Sequence, residues 1–213
     1  MNKNFSDQLV KRSRASVWHP YTQMKHHEYF PMVALSHGAG CWLFDYDGNR
    51  YLDSISSWWV NLFGHCNPTI NQAITDQLAR IEHTMLAGFT HEPVVQLSEK
   101  LSQLTGNTLG HIFYASDGAS SIEIALKMSF HYWFSQGKKD KTEFVTLKNG
   151  YHGETLGALS VSDISLYKDI YGPMLRSVNV IEGPDSRRVG KIYDTDADMT
   201  RKCLKDLEEF MEQ

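Results

Sequence analysis

Residues 111–130 read HIFYASDGASSIEIALKMSF, and three changes of character within that stretch decide the fold class. His111–Ala115 is a short apolar run of the kind that makes a buried strand. Ser116–Ser121 are all small or polar. From there to Phe134 the apolar residues recur at helical spacing. A strand delivering the chain through small residues into a helix N-terminus is the basic unit of an α/β fold. The first helical turn leaves backbone N–H groups unpaired at the positive end of the helix dipole, and small residues let a phosphate approach them. Ser116, Asp117 or Ser120 would serve equally well as a simple helix cap. No Gly-Lys-Ser/Thr follows, so the loop is not a P-loop, and the spaced glycines of a dinucleotide fingerprint are missing.

Downstream the alternation continues. Glu143–Leu147 and Val178–Ile181 are strand candidates, and Ala197–Glu212 is an amphipathic helix with Leu204, Leu207, Phe210 and Met211 on one side. Short apolar strands alternating with helices predict a parallel or mixed sheet covered by helices. The last helix brings no further strand for its apolar face, so the pattern reads as cut in the middle of a domain.

Upstream the signals are different. Asp47-Gly48 between Cys41–Tyr46 and Arg50–Asp53 predicts an antiparallel hairpin, with Val33–Ser36 as a third strand of a small meander. Asn67-Pro68 opens a helix carrying Ile70, Ile74, Leu78 and Ile81. Another starts near Pro93 and ends at Gly106. Residues 1–30, rich in His and aromatics, read as a helix or two followed by an extended arm. The predicted organisation is an arm and meander over residues 1–60, followed by part of a sheet domain over residues 61–213.

Bulk properties narrow the function. Lys and Arg number 21 against 25 Asp and Glu, a net charge of −4, and no basic block is present, which argues against a nucleic-acid partner. There is no apolar run of membrane-spanning length and no secretory leader. Cys41, Cys66 and Cys203 are odd in number and widely spaced, which predicts free thiols in a reducing, cytoplasmic setting. His26-His27 and His65-Cys66 are adjacent pairs without the spacing of a compact metal site, so no metal is expected. Gly-x-Ser-x-Gly is absent.

Three further clusters draw attention. Asn149-Gly150-Tyr151-His152-Gly153 follows a strand, where an α/β fold makes ligand contacts; it reads either as a ring stacked on a planar ligand or as a plain turn. His19-Pro20-Tyr21-Thr22 and Ser56-Ser57-Trp58-Trp59 are the others. In an extended segment, adjacent tryptophans point to opposite faces, one to core and one to a cavity.

Taken in order, WHPYTQM (18–24), GCWLFDYDGNRYLDSISSWWVNLFGHCNP (40–68), SDGASSIEIALKM (116–128) and NGYHGETLGALSVSD (149–163) resemble the class-III, fold-type-I aminotransferases. Within that family the His-Pro-Tyr-Thr and Ser-Ser-Trp-Trp pair is similar to the branch that converts a long keto-amine to a diamine in biotin synthesis. The resemblance runs from about Trp18 to about Tyr171.

It implies an α/β fold-type-I transferase, represented by the small-domain meander and the first, incomplete part of the mixed-sheet large domain. It implies pyridoxal 5'-phosphate as cofactor, with Gly118, Ala119 and Ser120 at its phosphate, Tyr151 stacked on its ring and His152 beside it. The family often has Ser at the position of Ala119, so one hydroxyl is lost while backbone donation survives. Tyr21, Trp58, Trp59 and Tyr151 are implied to line the substrate cleft for a keto-amine acceptor and an amino donor, either adenosylmethionine or lysine. A homodimer is implied as well. The family's catalytic lysine, its aspartate partner to the cofactor ring and its substrate-binding arginine lie beyond the matched stretch. None of Lys127, Lys148 or Lys168 falls in the corresponding motif, so no catalytic residue is assigned. The chain is expected to be an N-terminal fragment, inactive by itself. Another class-III ω-aminotransferase, or a non-catalytic remnant that binds phosphate ligands, are the alternatives.

Overall fold

The computed structural model describes residues 3–212, and by internal contacts the chain divides into two compact units, Met1–Val95 and Gln96–Gln213.

The first unit opens with helix α1 (Lys3–Ser16), followed by a 3-10 turn at Met24–Glu28. The predicted meander is present as β1 (Leu35–Ala39), β2 (Trp42–Asp45) and β3 (Arg50–Leu52), antiparallel in sequential order. Trp42 pairs with Leu52 and Phe44 with Arg50. A four-residue loop (46–49) joins β2 to β3, with Gly48 at φ 87°, a left-handed conformation that glycine takes without strain. The hairpin is pinned by buried Asp45. Its carboxylate accepts the N–H groups of Asp47 (2.9 Å) and Asn49 (2.8 Å), the Asn49 side-chain amide (2.8 Å) and the Tyr51 hydroxyl (2.9 Å). Those donors, led by Asn49, hold its carboxyl below the usual aspartate range.

After β3 the chain makes a four-residue turn, α2 (Ser56–Trp59), and then helix α3 (Pro68–Leu78). Asn67 caps α3, accepting from the N–H groups of Thr69 and Ile70, and Pro68 occupies the first turn, where its missing N–H costs nothing. Ile81, expected on this helix, lies beyond its end. Helix α4 (Glu92–Leu104) crosses the division between the units and ends before Gly106, at φ 62°.

The second unit contains helix α5 (Gly118–Ser135) and the parallel pair β4 (Val145–Leu147) and β5 (Asn179–Ile181). The crossover between the strands carries α6 (Leu156–Ser160), α7 (Ser165–Lys168) and a 3-10 turn at Asp169–Met174. Helix α8 (Asp196–Met211) follows, capped by Thr195. The buried core is small: Ala158, Leu159 and Val161 of the crossover, with Thr146, Ser162 and Met199.

The apolar run His111–Ala115 forms no strand, contrary to its sequence pattern, and Phe113 is exposed. A strand needs a ladder partner, and among the described residues β4 and β5 pair only with each other. Met128, Phe130, Tyr132 and Phe134 of α5 are exposed although their sequence is that of a covered helix.

Among the described residues no helix is long and apolar enough to cross a membrane, and no cluster of His, Cys, Asp or Glu could hold a metal ion. The three cysteines are unpaired.

Candidate functional site

The residues implied by the sequence fall into two clusters, one in each unit. In the second unit they gather where α5 begins. Asp117 caps the helix: its carboxylate accepts the Ser120 N–H (2.7 Å), the Ser120 hydroxyl (2.8 Å) and the Ser116 hydroxyl (3.0 Å). The Ser120 donors, backbone first, hold the Asp117 carboxyl below its usual range. Capping therefore accounts for Ser116, Asp117 and Ser120 but not for Gly118. A β-carbon at Gly118 would meet nothing within 4 Å, so the first turn is open to a ligand. That open approach at the N-terminus of an 18-residue helix fits a phosphate group.

The loop after β4 is seated against this turn. Asn149 takes the left-handed conformation at φ 60°, the Gly150 N–H donates to the Leu147 carbonyl (3.0 Å), and the Asn149 N–H donates to Asp163 (2.9 Å). A β-carbon on Gly150 would come 2.9 Å from the Leu147 carbonyl oxygen and 3.3 Å from His152 Nε2, so only glycine fits. The His152 N–H donates to the Ser162 hydroxyl (2.9 Å), which fixes the loop to the buried crossover. Tyr151 is half exposed. Its hydroxyl donates to Glu154 (3.0 Å), and its ring centroid lies 5.8 Å from that of Tyr167. Thus Tyr151 does not pack beneath the turn; its ring is available to a planar ligand.

Glu123, one turn into α5, was not distinguished by the sequence pattern. One of its carboxylate oxygens accepts the Thr155 hydroxyl (2.6 Å) and the N–H groups of Gly157 (2.8 Å) and Ala158 (3.2 Å). It ties α5 to the start of α6, and these donors, with Thr155 foremost, pull its carboxyl below the ordinary glutamate range. A glutamate one turn beyond a glycine turn is the only sequence signal for this role.

Two lysines near this loop are held by other groups. Lys148 Nζ pairs with Glu182 (2.7 Å), and Lys168 Nζ donates to the Ser160 and Ser162 carbonyls.

In the first unit, Ser56, Ser57, Trp58 and Trp59 have φ values of 49°, 47°, 70° and 71°. The expectation of an extended Trp-Trp pair facing opposite ways is overturned: α2 is a left-handed turn. Each non-glycine residue there costs about 1–2 kcal/mol, and such strain collects at ligand sites. Tyr21, also left-handed at φ 53°, sets its ring 5.0 Å from that of Trp58. Trp58 is 56% exposed and Trp59 80%, so neither is a core residue. The arrangement offers an apolar aromatic wall. Asp53, which the sequence did not single out, accepts from the Ser57 N–H (2.8 Å), the Ser57 hydroxyl (2.7 Å) and His65 Nε2 (2.8 Å). Ser57, then His65, hold its carboxyl below the usual range.

The sequence pattern described as Aminotransferase class-III matches residues 22–213. The chain is 47% identical over 173 residues to the adenosylmethionine-8-amino-7-oxononanoate aminotransferase of Helicobacter pylori, covering 81% of this chain and 39% of that protein. The enzyme of the same name from Staphylococcus aureus is 36% identical over 211 residues, or 98% of this chain and 46% of that one. Among solved structures, the adenosylmethionine-8-amino-7-oxononanoate aminotransferase of Methanocaldococcus jannaschii superposes with a TM-score of 0.83 at 36% identity, over 97% of this chain and 44% of that chain. An (S)-enantioselective omega-transaminase from Thermomicrobium roseum gives 0.85 at 28% identity, over 97% and 46%. The chain thus spans under half the length of these relatives. With 192 positions (22–213) matched to the family, this chain belongs to the class-III aminotransferases.

Proposed function

We propose that the protein to which this chain belongs is a pyridoxal 5'-phosphate-dependent aminotransferase that converts 8-amino-7-oxononanoate to 7,8-diaminononanoate in biotin synthesis. The observation that carries this reading is the Tyr21–Trp58 aromatic pair on a left-handed turn, in a chain 47% identical to a relative of that name. An apolar wall suits a long aliphatic acceptor, whose methylene chain gains about 0.8 kcal/mol per buried CH₂.

In this reading Gly118, Ala119 and Ser120 hold the cofactor phosphate through the first turn of α5. Tyr151 stacks on the cofactor ring with His152 beside it, and Tyr21, Trp58, Trp59 and Tyr151 border the substrate. The cofactor, when bound, carries the amino group and draws electrons from the reacting carbon. This chain's residues orient it, shield the acceptor's carbon chain from water and hold the ring plane. The proton-transferring lysine is assigned to no residue of this chain. Residues 1–60 form the arm and small-domain meander, and residues 61–213 the first part of the cofactor-binding domain. The working protein is a cytoplasmic homodimer.

The test is to assay the full-length protein with pyridoxal phosphate, 8-amino-7-oxononanoate, and adenosylmethionine or lysine in turn. Diamine formation supports the reading and identifies the donor. Likeness to the Thermomicrobium omega-transaminase favours a second reading, another class-III ω-aminotransferase. Transamination of other amino donors with no diamine formed would select it.

A further inference from the structure

We infer that Asp53, backed by His65, is a positioning residue that selects the left-handed hand of the Ser56–Trp59 turn and thereby sets the Tyr21–Trp58 wall against the substrate. The selectivity part of this inference rests on the function proposed above.

Nothing intrinsic to Ser or Trp favours four successive positive φ angles, so an external contact has to choose them. The backbone bonds of the turn do not. The Trp59 N–H donates to the Ile55 carbonyl (2.8 Å) and the Val60 N–H to the Ser56 carbonyl (2.9 Å), and i to i−4 bonds of this kind close a turn of either hand. Apart from the Tyr21–Trp58 ring contact, the side-chain contacts of the turn converge on Asp53. Its two carboxylate oxygens grip Ser57, the second residue of the turn, by both its N–H and its hydroxyl.

Asp53 is itself held. Its side chain is 6% exposed, its N–H donates to the Cys41 carbonyl (2.9 Å), and His65 Nε2 lies 2.8 Å from the oxygen that takes the Ser57 hydroxyl. The side-chain amide of Asn61 donates to His65 Nδ1 (3.3 Å), so in the neutral ring the proton sits on Nε2 and is given to Asp53. His65 is anchored in turn to the meander: its N–H donates to the Gly40 carbonyl (2.8 Å), and the Gly40 N–H donates to its own carbonyl (3.1 Å). Its ring lies over Gly38, where a β-carbon would come 2.7 Å from ring carbon Cγ. A continuous path therefore runs from the end of β1 through His65 and Asp53 to Ser57, Trp58 and Tyr21.

The experiment uses the full-length holoenzyme and the variants Asp53→Asn, Asp53→Asn with Ser56→Gly, and Ser57→Ala. Glycine at position 56 accepts the positive φ without the cost serine bears, and the Ser56 hydroxyl is no part of the path. The Trp58 contribution to near-ultraviolet circular dichroism, taken as the difference from Trp58→Phe, reports the ring pair directly. For Asp53→Asn we expect that contribution to collapse and KM for 8-amino-7-oxononanoate to rise about tenfold, equivalent to ~1.4 kcal/mol, with kcat and the cofactor absorbance nearly unchanged. Adding Ser56→Gly should restore most of both. Ser57→Ala should shift both in the same direction by less, which keeps the test open should Asp53→Asn fold poorly. An unchanged dichroism and KM in Asp53→Asn, or a loss that Ser56→Gly does not repair, would overturn the inference. If wild-type enzyme does not turn over the keto-amine, the functional reading and the selectivity fall together, and the dichroism with its glycine rescue decides the positioning role alone.

Discussion

Gly153 and Ala119 touch so closely that a β-carbon on Gly153 would lie 2.6 Å from the β-carbon of Ala119. Gly153 also has φ 123°, a conformation open to glycine almost alone. The loop bearing Tyr151 and His152 is thereby pressed against the turn proposed for the cofactor phosphate.

Gly153→Ala should therefore separate the two. In the full-length protein we expect destabilisation of about 1–3 kcal/mol from backbone strain, read by chemical denaturation. Pyridoxal phosphate affinity, read by absorbance titration, should weaken by at least tenfold. Unaltered affinity with lowered stability would mean that the contact braces the fold without shaping the cofactor site.

Glu123→Gln should give a pH-dependent loss of stability. The folded carboxyl titrates below its ordinary value of 4.5, so the unfolded chain binds more protons as the pH falls. The Glu123 contribution is then complete above that ordinary value and disappears as pH drops through the lower folded one. Denaturation midpoints of wild type and Glu123→Gln should differ at pH 7 and converge in acid. Glu123→Ala, which leaves three donors unmatched, should cost about 1–3 kcal/mol at neutral pH.

Trp59→Ala tests whether the more exposed tryptophan serves ligand or fold. With its side chain largely in solvent, its removal should change stability by no more than about 0.5 kcal/mol. If it borders the substrate, KM for the keto-amine should rise severalfold in the same variant. A large stability loss would instead show that Trp59 is covered in the whole protein and serves packing.

The exposed apolar side chains of α5 make a prediction for the 213-residue chain by itself. It should bind a hydrophobic dye such as ANS strongly and show no aminotransferase activity, whereas the full-length protein should bind the dye weakly. Equal dye binding by both would mean that this face stays open in the working enzyme.

Much of the fold was legible because its signals are local. Asp47-Gly48 marked the hairpin, Asn67-Pro68 the start of α3, and the small residues before Ile122 the start of α5; each works through a cap or a turn that needs no distant partner. His111–Ala115 has a strand's pattern but forms none, because an apolar run becomes a strand only where a neighbour offers a ladder. The Trp58-Trp59 pair departs from its sequence pattern because alternation of side chains holds for extended backbone, and no residue type in that stretch announces a left-handed turn.

The sequence by itself determined the family, the kinds of element and the identity of the candidate residues, since periodicity, caps and motif order are written in neighbouring positions. Only the tertiary structure decided the hand of the Ser56–Trp59 turn, the closeness of Gly153 to Ala119 and the roles of Asp53 and Glu123. Those depend on side chains that meet from separate parts of the chain: Asp53 with His65, 12 positions apart, and Glu123 with Thr155, 32 positions apart. A carboxylate is recognisable in any sequence, but the donors that complete it are assigned by folding.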